Sequence, residues 1–338
     1  MSLFALQTNL YITNLCNRQC ENCYYPHNDS PMTYQMANEI AAWIATMCID
    51  ENVKEYHAHF LGGEPLLNQG VMSFLIDKLE TYLPNYTEGS YYGKYVVFTN
   101  GDFLSPHNLE KLKGQKAMIM LNPTSDSLQV VEEKMNLIKA FLGGVSLAVV
   151  ADETNLRRLP DLAKLAVGHR GHIRINRLYH GGTMPGYVEE YRKQMHRVFD
   201  ILLAAKKPMW PNFIMESSYV TWDSPKNPNA CGRWFLAFDP DGSIRSCNAD
   251  MDTKMGHIRT HHSMKDFIFT HRWSAKNLPE CQDCPYITHC QGGCPYTRKL
   301  AYGTYDKRTP FCKAFKELFP RLYELKERWV EYNGRTPR

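Results

Sequence analysis

No stretch of this 338-residue chain approaches the roughly 18 consecutive apolar residues that a helix needs to cross a bilayer, so no membrane-spanning helix is expected. The leading residues Met1-Ser2-Leu3-Phe4-Ala5-Leu6 lack a charged segment followed by a long apolar one, so no secretory signal is expected and the reading is cytoplasmic. Charge of one sign is scarce too. Thirty-nine Lys and Arg against 35 Asp and Glu leave a net charge of +4, too little to argue for a nucleic-acid or membrane surface. Low-complexity tracts and repeats beyond βα units are absent. What is plentiful is cysteine: 11 residues, ten of them in two groups, Cys16 to Cys23 and Cys231 to Cys312. An odd number without a secretory signal argues against a disulfide framework and for reduced thiolates on metal.

From residue 9 to about 206, short β-rich apolar runs alternate with amphipathic stretches. Strands are predicted at Asn9–Thr13, Tyr56–Leu61, Tyr95–Thr99, Ala117–Leu121, Val145–Val150 and Ile173–Leu178. Between them lie helical patterns such as Met36, Ile40, Trp43, Ile44 and Met47, which also carry Cys48 on their apolar face. Ser105-Pro106 and Ser125 are plausible helix starts. Six β-then-α units imply a parallel sheet, because parallel strands need crossover helices, and six units curl into a partial (β/α)6 barrel rather than the closed eight-fold one. Chemistry is then expected on the loops after the strands' C-terminal ends. The polar, proline-bearing stretch 221–230 reads as a linker, dividing the chain into a barrel, 1–220, and a C-terminal domain, 221–338. In the latter, Asp239-Pro240-Asp241-Gly242 has the pattern of a type I turn between two short strands. The chain closes with an amphipathic helix carrying Phe315, Leu318, Phe319, Leu322, Leu325 and Trp329.

Cys16-x3-Cys20-x2-Cys23 directly follows the first strand. Three thiolates on one short turn can hold three irons of a cubane cluster and leave the fourth open, which suits a reaction rather than a structural site. A zinc site, with His27 as the nearby extra ligand, is the alternative on spacing alone. The triad resembles the signature of the radical S-adenosylmethionine (SAM) enzymes, and other elements follow in that family's order. Leu61-Gly62-Gly63-Glu64-Pro65 after the second strand resembles the motif that contacts the amino group of the methionine moiety, where glycines permit close approach and a carboxylate complements an ammonium. Thr99-Asn100-Gly101 ends the third strand, and Asn155 follows the fifth, where the family places a residue near the cofactor's ribose or carboxylate. Two departures stand out. Asn22 occupies the usual aromatic position before the third cysteine, with Tyr24 and Tyr25 after it, and the fourth strand ends Leu121-Asn122-Pro123-Thr124 instead of the usual acidic-glycine pair.

The seven later cysteines, Cys231, Cys247, Cys281, Cys284, Cys290, Cys294 and Cys312, are similar to the SPASM extension of that family; from spacing alone a pair of zinc sites is an equal reading. The resemblance implies interleaved ligands for two auxiliary [4Fe-4S] clusters: Cys281, Cys284, Cys290 and Cys312 for an outer one, and Cys231, Cys247 and Cys294 for an inner one with an open or non-cysteine position. It further implies SAM as cofactor, cleavage of SAM to a 5′-deoxyadenosyl radical that abstracts a hydrogen, auxiliary clusters that take up the electron left on the substrate, and an electron donor such as flavodoxin or ferredoxin. Relatives with this extension mostly modify peptides, so the implied function is a peptide maturase that cross-links or oxidises a ribosomal peptide. The sulfatase-maturing reaction is disfavoured because Asn248, not aspartate, follows Cys247, and asparagine is no useful base. Only fifteen residues precede Cys16, so a separate leader-recognition protein or a leader-independent substrate is expected. A small-molecule dehydrogenase and a zinc-stabilised binding module are the alternatives. Arg174 and Asn176 alternate with isoleucines on the sixth strand, where Arg174 is a candidate for a substrate carboxylate or a plain rim arginine. The sequence assigns no catalytic acid or base.

Overall fold

The computed structural model describes residues 5–83, 95–209, 235–262 and 278–334. The linker at 221–230 and Cys231 lie outside them. Six strand–helix pairs come first: β1 Ala5–Tyr11 and α1 Tyr34–Asp50, β2 Glu55–Leu61 and α2 Gln69–Tyr82, β3 Tyr95–Thr99 and α3 Pro106–Gly114, β4 Met118–Leu121 and α4 Leu128–Leu142, β5 Ser146–Ala151 and α5 Leu159–Gly168, β6 Ile173–Arg177 and α6 Tyr187–Ala204. Then come β7 Phe235–Phe238, β8 Ser243–Arg245, β9 Lys254–His257, α7 Ile287–Cys290, α8 Pro295–Tyr302 and α9 Cys312–Asn333. Every predicted strand is present within a few residues of its expected limits. Among the described residues no helix is long and apolar enough to cross a membrane.

The chain forms two compact units, one from Met1–Leu121, Leu137–Gly143 and Cys231–Thr270, the other from Asn122–Asn136, Gly144–Ala230 and His271–Arg338. In the first, β1 pairs in parallel with β2 on one side and β7 on the other, and β2–β3 and β3–β4 continue in parallel. Such strands, covered by helices, are apolar nearly throughout: Leu6, Leu10, Tyr56, Ala58 and Phe60 are buried. Helix α1 starts at Thr33, whose hydroxyl accepts from the Met36 N–H at 3.1 Å, and buries the expected stripe, Cys48 included. Ser105 caps α3 as expected, but the hydroxyl at the start of α4 that accepts from a helix N–H (Val130, 3.3 Å) is that of Ser127, not Ser125. Both serines have the right chemistry for a cap, and only the path of the chain after Pro123 selects between them.

Asp239–Gly242 makes the expected turn between β7 and β8, closed by Gly242 N–H to Asp239 O at 2.9 Å with Gly242 at φ +88°. In the second unit β5 and β6 pair in parallel, α6 packs on α5 and on α9, and α9 buries its whole predicted apolar stripe. Along β6, Ile173 and Ile175 are fully buried, while Arg174 and Asn176 on the other face are half-buried and bonded to each other (Nε to Oδ1, 3.0 Å). Arg177 shares the isoleucines' face and is buried too, its guanidinium 5.0 Å from the centre of the Phe311 ring and donating to Thr297 Oγ1 at 3.2 Å.

Candidate active site

The Cys16–Cys23 loop leaves the C-terminal end of β1 and is tied down by backbone on one side. After the last β1–β2 rung, Ile12 N–H donates to Leu61 O at 2.9 Å, Gly63 N–H to Thr13 O at 2.8 Å and Glu64 N–H to Leu15 O at 2.8 Å. The two chains run so close that a Cβ on Gly62 would stand 2.4 Å from Thr13 O, and one on Gly63 2.0 Å from Leu15 O and 2.9 Å from Asn14 O. Backbone cannot yield as a side chain does. Gly63→Ala is therefore expected to push the Leu15–Cys16 segment away and to cost about 1–3 kcal/mol, read as a lower urea midpoint at unchanged slope; a midpoint equal to that of the parent protein refutes the close approach.

Glu64 is buried, and its carboxylate is occupied: Oε1 accepts from Thr99 Oγ1 (2.8 Å) and Leu66 N–H (3.1 Å), and Oε2 from Asn100 N–H (2.9 Å). Burial pushes the Glu64 carboxyl up, and these hydrogen bonds oppose the rise. The side chain thus straps the end of β2 to the end of β3. Three of about four lone-pair positions are used, so one remains. Pro65 is buried at the first position of the short 3-10 turn that Glu64 caps. Asn100 is equally committed, its amide donating to Asn17 Oδ1 (2.9 Å) and its Oδ1 accepting from Asp102 N–H (2.9 Å). Asp102 in turn accepts from Asn17 Nδ2 (2.7 Å) and Arg18 Nε (2.6 Å). The loop after β3 therefore grips the cysteine loop from a second side.

Of the three thiols, Cys16 is half-buried and Cys20 and Cys23 are exposed. Burial pushes the Cys16 and Cys23 thiols up. Cys23 Sγ lies 3.4 Å from His27 Nε2, the ligand a zinc reading would require. Yet among the described residues no three of His, Cys, Asp and Glu stand close enough together to hold one metal ion.

Behind this loop lies a network the sequence reading did not find. Tyr25 stacks on Tyr11, ring centres 4.1 Å apart, and its hydroxyl donates to Asp239 Oδ1 at 3.2 Å. Arg245 is wholly buried: Nε and Nη2 form a fork on Asp239 (2.9 and 2.7 Å), while Nη1 donates to the carbonyls of Cys247 (3.0 Å) and Asn248 (3.1 Å). Asn248 Nδ2 donates to the Tyr24 hydroxyl at 3.2 Å, which also meets that of Tyr11 at 3.3 Å. Burial raises all three tyrosine hydroxyls, Tyr11 and Tyr25 well above their ordinary range, so they stay neutral phenols. Tyr25 is thus core, and of the two tyrosines after Cys23 only Tyr24 keeps an exposed ring. The available signal was a basic residue, Arg245, across a short hairpin from Asp239 and two residues before Cys247.

In the second unit, Asn155 follows β5 and is fully buried, its amide making no hydrogen bond within 3.5 Å although it lies near the Asp152 carboxylate. Its backbone N–H is fixed on Asp152 Oδ1 at 2.8 Å. Farther on, Cys281, Cys284, Cys290 and Cys312 line one recess together with Gly292 and Thr309. Three successive left-handed residues, Gln291, Gly292 and Gly293, turn the chain after Cys290, and Thr309 N–H on Gly292 O (2.9 Å) brings the Cys312 segment alongside. Burial pushes the Cys290 thiol up to about 12, and the neighbouring Cys312 adds to the rise. Cys294 caps α8 just beyond.

Comparison with known proteins gives the fold its kin. A family model described as a 4Fe-4S single cluster domain matches residues 6–113. The chain is 22% identical over 368 residues to the radical SAM cyclopropyl synthase TigE of Paramaledivibacter caminithermalis, covering 96% of this chain and 75% of that one. It superposes with a TM-score of 0.73 on native anSMEcpe with bound AdoMet and Kp18Cys peptide, at 18% identity and covering 95% and 98% of the two chains. On Streptococcus suis SuiB bound to precursor peptide SuiA the TM-score is 0.66, at 15% identity over 92% and 76%. The fold is the partial barrel of radical SAM enzyme structures. Within a radical SAM fold, the loop after β1 and the ends of β2 and β3 lie at the strands' C-terminal ends, where α/β proteins of this kind place their chemistry.

Proposed function

We propose that the protein is a radical SAM oxidoreductase that removes a hydrogen atom from a peptide and leaves it cross-linked or oxidised. The observation that carries this reading is the Cys16–Cys23 loop, clamped at the end of β1 by Gly63, Asn100 and Asp102 while two of its thiols stay exposed. On this reading Cys16, Cys20 and Cys23 would hold a four-iron cluster with one open iron. Such a cluster, reduced, would supply the electron for reductive cleavage of SAM, the source of the hydrogen-abstracting radical.

The residues of this chain then bind and orient. Gly62 and Gly63, which by lacking side chains let this strand end pack on the Thr13–Leu15 backbone, would border the methionine end, the remaining lone pair of Glu64 would suit its ammonium, and Pro65 and Asn100 would hold that wall in shape. The unsatisfied buried amide of Asn155 offers both a donor and an acceptor, the pair a ribose hydroxyl or a carboxylate with its neighbours calls for. Cys281, Cys284, Cys290 and Cys312 would hold an outer auxiliary cluster, which their shared recess supports. Cys247 and Cys294, with Cys231, would hold an inner one, in a domain taken as 221–338. The peptide substrate rests on the matched solved structures that carry peptides, and a flavodoxin- or ferredoxin-like donor and a separate leader-recognition protein complete the proposal.

Anaerobically purified protein, reduced and given SAM with a candidate peptide deuterated at the target carbon, should be brown and should move deuterium into 5′-deoxyadenosine. Transfer from a labelled small molecule and from no peptide would favour the dehydrogenase alternative, and a colourless protein with stoichiometric zinc would overturn both.

A further inference from the structure

Tyr24 is turned the opposite way to an ordinary surface tyrosine, which buries its ring and leaves the hydroxyl to water. Directly after Cys23, it stays 37% exposed while its hydroxyl points inward, to that of the buried Tyr11 (3.3 Å) and to Asn248 Nδ2 (3.2 Å). The Tyr11 hydroxyl in turn donates to Asn248 O at 3.2 Å. A phenol has one proton to give. With that of Tyr11 on the Asn248 carbonyl and an amide proton of Asn248 on Tyr24, the Tyr24 proton goes to Tyr11. Each of the three contacts then holds a proton of its own, and the cycle is closed. Asn248 enters it twice, by side chain and by backbone.

The cycle sits on one flank of the cysteine loop. Strand β1 has β2 on one side, where Gly63, Glu64 and Asn100 clamp the loop, and β7 on the other. Asn248 follows the β7–β8 hairpin, its carbonyl held by Arg245 Nη1 as well, so Tyr24 is fixed on the flank away from the wall proposed for the methionine end. A tyrosine fastened by its hydroxyl has little freedom left to lose when a ligand packs on its ring, and flat rings gain most from such a face.

From this geometry we infer that Tyr24 is a contact wall for the peptide, taking an uncharged, ring-bearing side chain beside the Cys16–Cys23 loop, and that Asn248 is the positioning residue that holds it. The inference deepens the proposed function and rests on it. It also gives the asparagine after Cys247 a role of its own. A carboxylate there has no proton to donate, so Tyr24 would have to turn its own proton toward it, and the contact between Tyr24 and Tyr11 would be left with none.

The probes are two capped pentapeptides of glycine, one with a central phenylalanine and one with a central alanine. Their binding is followed by ligand-observed NMR on anaerobic, unreduced protein saturated with SAM, so that no turnover occurs. The phenylalanine peptide should bind about fivefold more tightly than its alanine twin. Tyr24→Leu should erase that preference. Tyr24→Phe, Asn248→Ala and Asn248→Asp should each weaken the phenylalanine peptide about threefold, since each breaks the cycle and leaves the rest of the site in place. Tyr332→Leu, which removes an exposed tyrosine of α9, should change nothing. Equal binding of the two peptides by the parent protein, or parent-level binding in Tyr24→Leu or Asn248→Asp, overturns the inference. So does a phenylalanine peptide that binds SAM-free protein and is displaced by adenosine, because the ring would then serve the cofactor's base. A parent protein that retains no SAM overturns the underlying reading and the inference with it, and that failure is seen before any peptide is added.

Discussion

Replacing Cys16, Cys20 and Cys23 together by alanine is expected to reduce 5′-deoxyadenosine formation to the level given by reductant alone, while leaving the fold intact. The loss should be complete because each thiolate would anchor one iron, and a cluster with no protein ligand has no seat. The fold should survive because the loop is held by other groups: the backbone rungs of Ile12, Gly63 and Glu64, and the side chains of Asn17 and Arg18 on Asp102. Two of the three sulfurs are exposed, so their removal opens no core cavity, and a stability change within about 0.5 kcal/mol is expected. Chromatography of the nucleoside product alongside a thermal melt separates the two effects. Product at the parent level in a folded triple variant would sink the proposed chemistry.

Asp239→Ala should produce the largest loss of stability, about 3–5 kcal/mol. Asp239 takes the fork of Arg245, which is wholly buried, and the hydroxyl of Tyr25. Removing it strands a cation among Tyr11, Tyr25 and two carbonyls. Asp239→Asn keeps the shape and one acceptor and should cost less. Adding Arg245→Met to Asp239→Ala should recover part of the loss, because an absent charge needs no partner. Urea unfolding of the three variants measures this, and a loss below about 1 kcal/mol for Asp239→Ala would mean that water reaches the guanidinium. Since Arg245 also holds the carbonyls of Cys247 and Asn248, the same variants are expected to loosen the segment that carries Cys247.

The six βα units were legible because buried parallel strands are apolar runs and their covering helices repeat at three and four residues. Met36 to Met47, Tyr187 to Leu202 and Phe315 to Trp329 all point inward as their spacing requires. The turn at Asp239–Gly242 was legible for a similar reason, since proline and glycine state their dihedrals locally. Other features were not. Tyr24 and Tyr25 are adjacent and alike in sequence, yet one rests in the core and the other leaves its ring in the open. Glu64 reads as a ligand-facing carboxylate, and its oxygens prove to be largely occupied by Thr99, Asn100 and Leu66. Arg177, Arg245 and Arg298 received no role from the local sequence pattern and are all buried. The partners of Arg177, Thr297 and Phe311, come from far along the chain, whereas Arg245 is buried on Asp239 of its own hairpin, a pairing that only the fold of that hairpin reveals.

By itself, then, the sequence determined which local segments become strands, helices and turns, and which cysteine groups are available for metal, since both follow from spacing along the chain. Only the tertiary structure decided that β7 joins β1 in parallel, that Gly63 must yield space to Leu15, and that four cysteines from Cys281 to Cys312 share one recess. Those outcomes depend on contacts between residues far apart in the chain, and the free energy of such contacts is set by burial and geometry that exist only after the chain has closed upon itself.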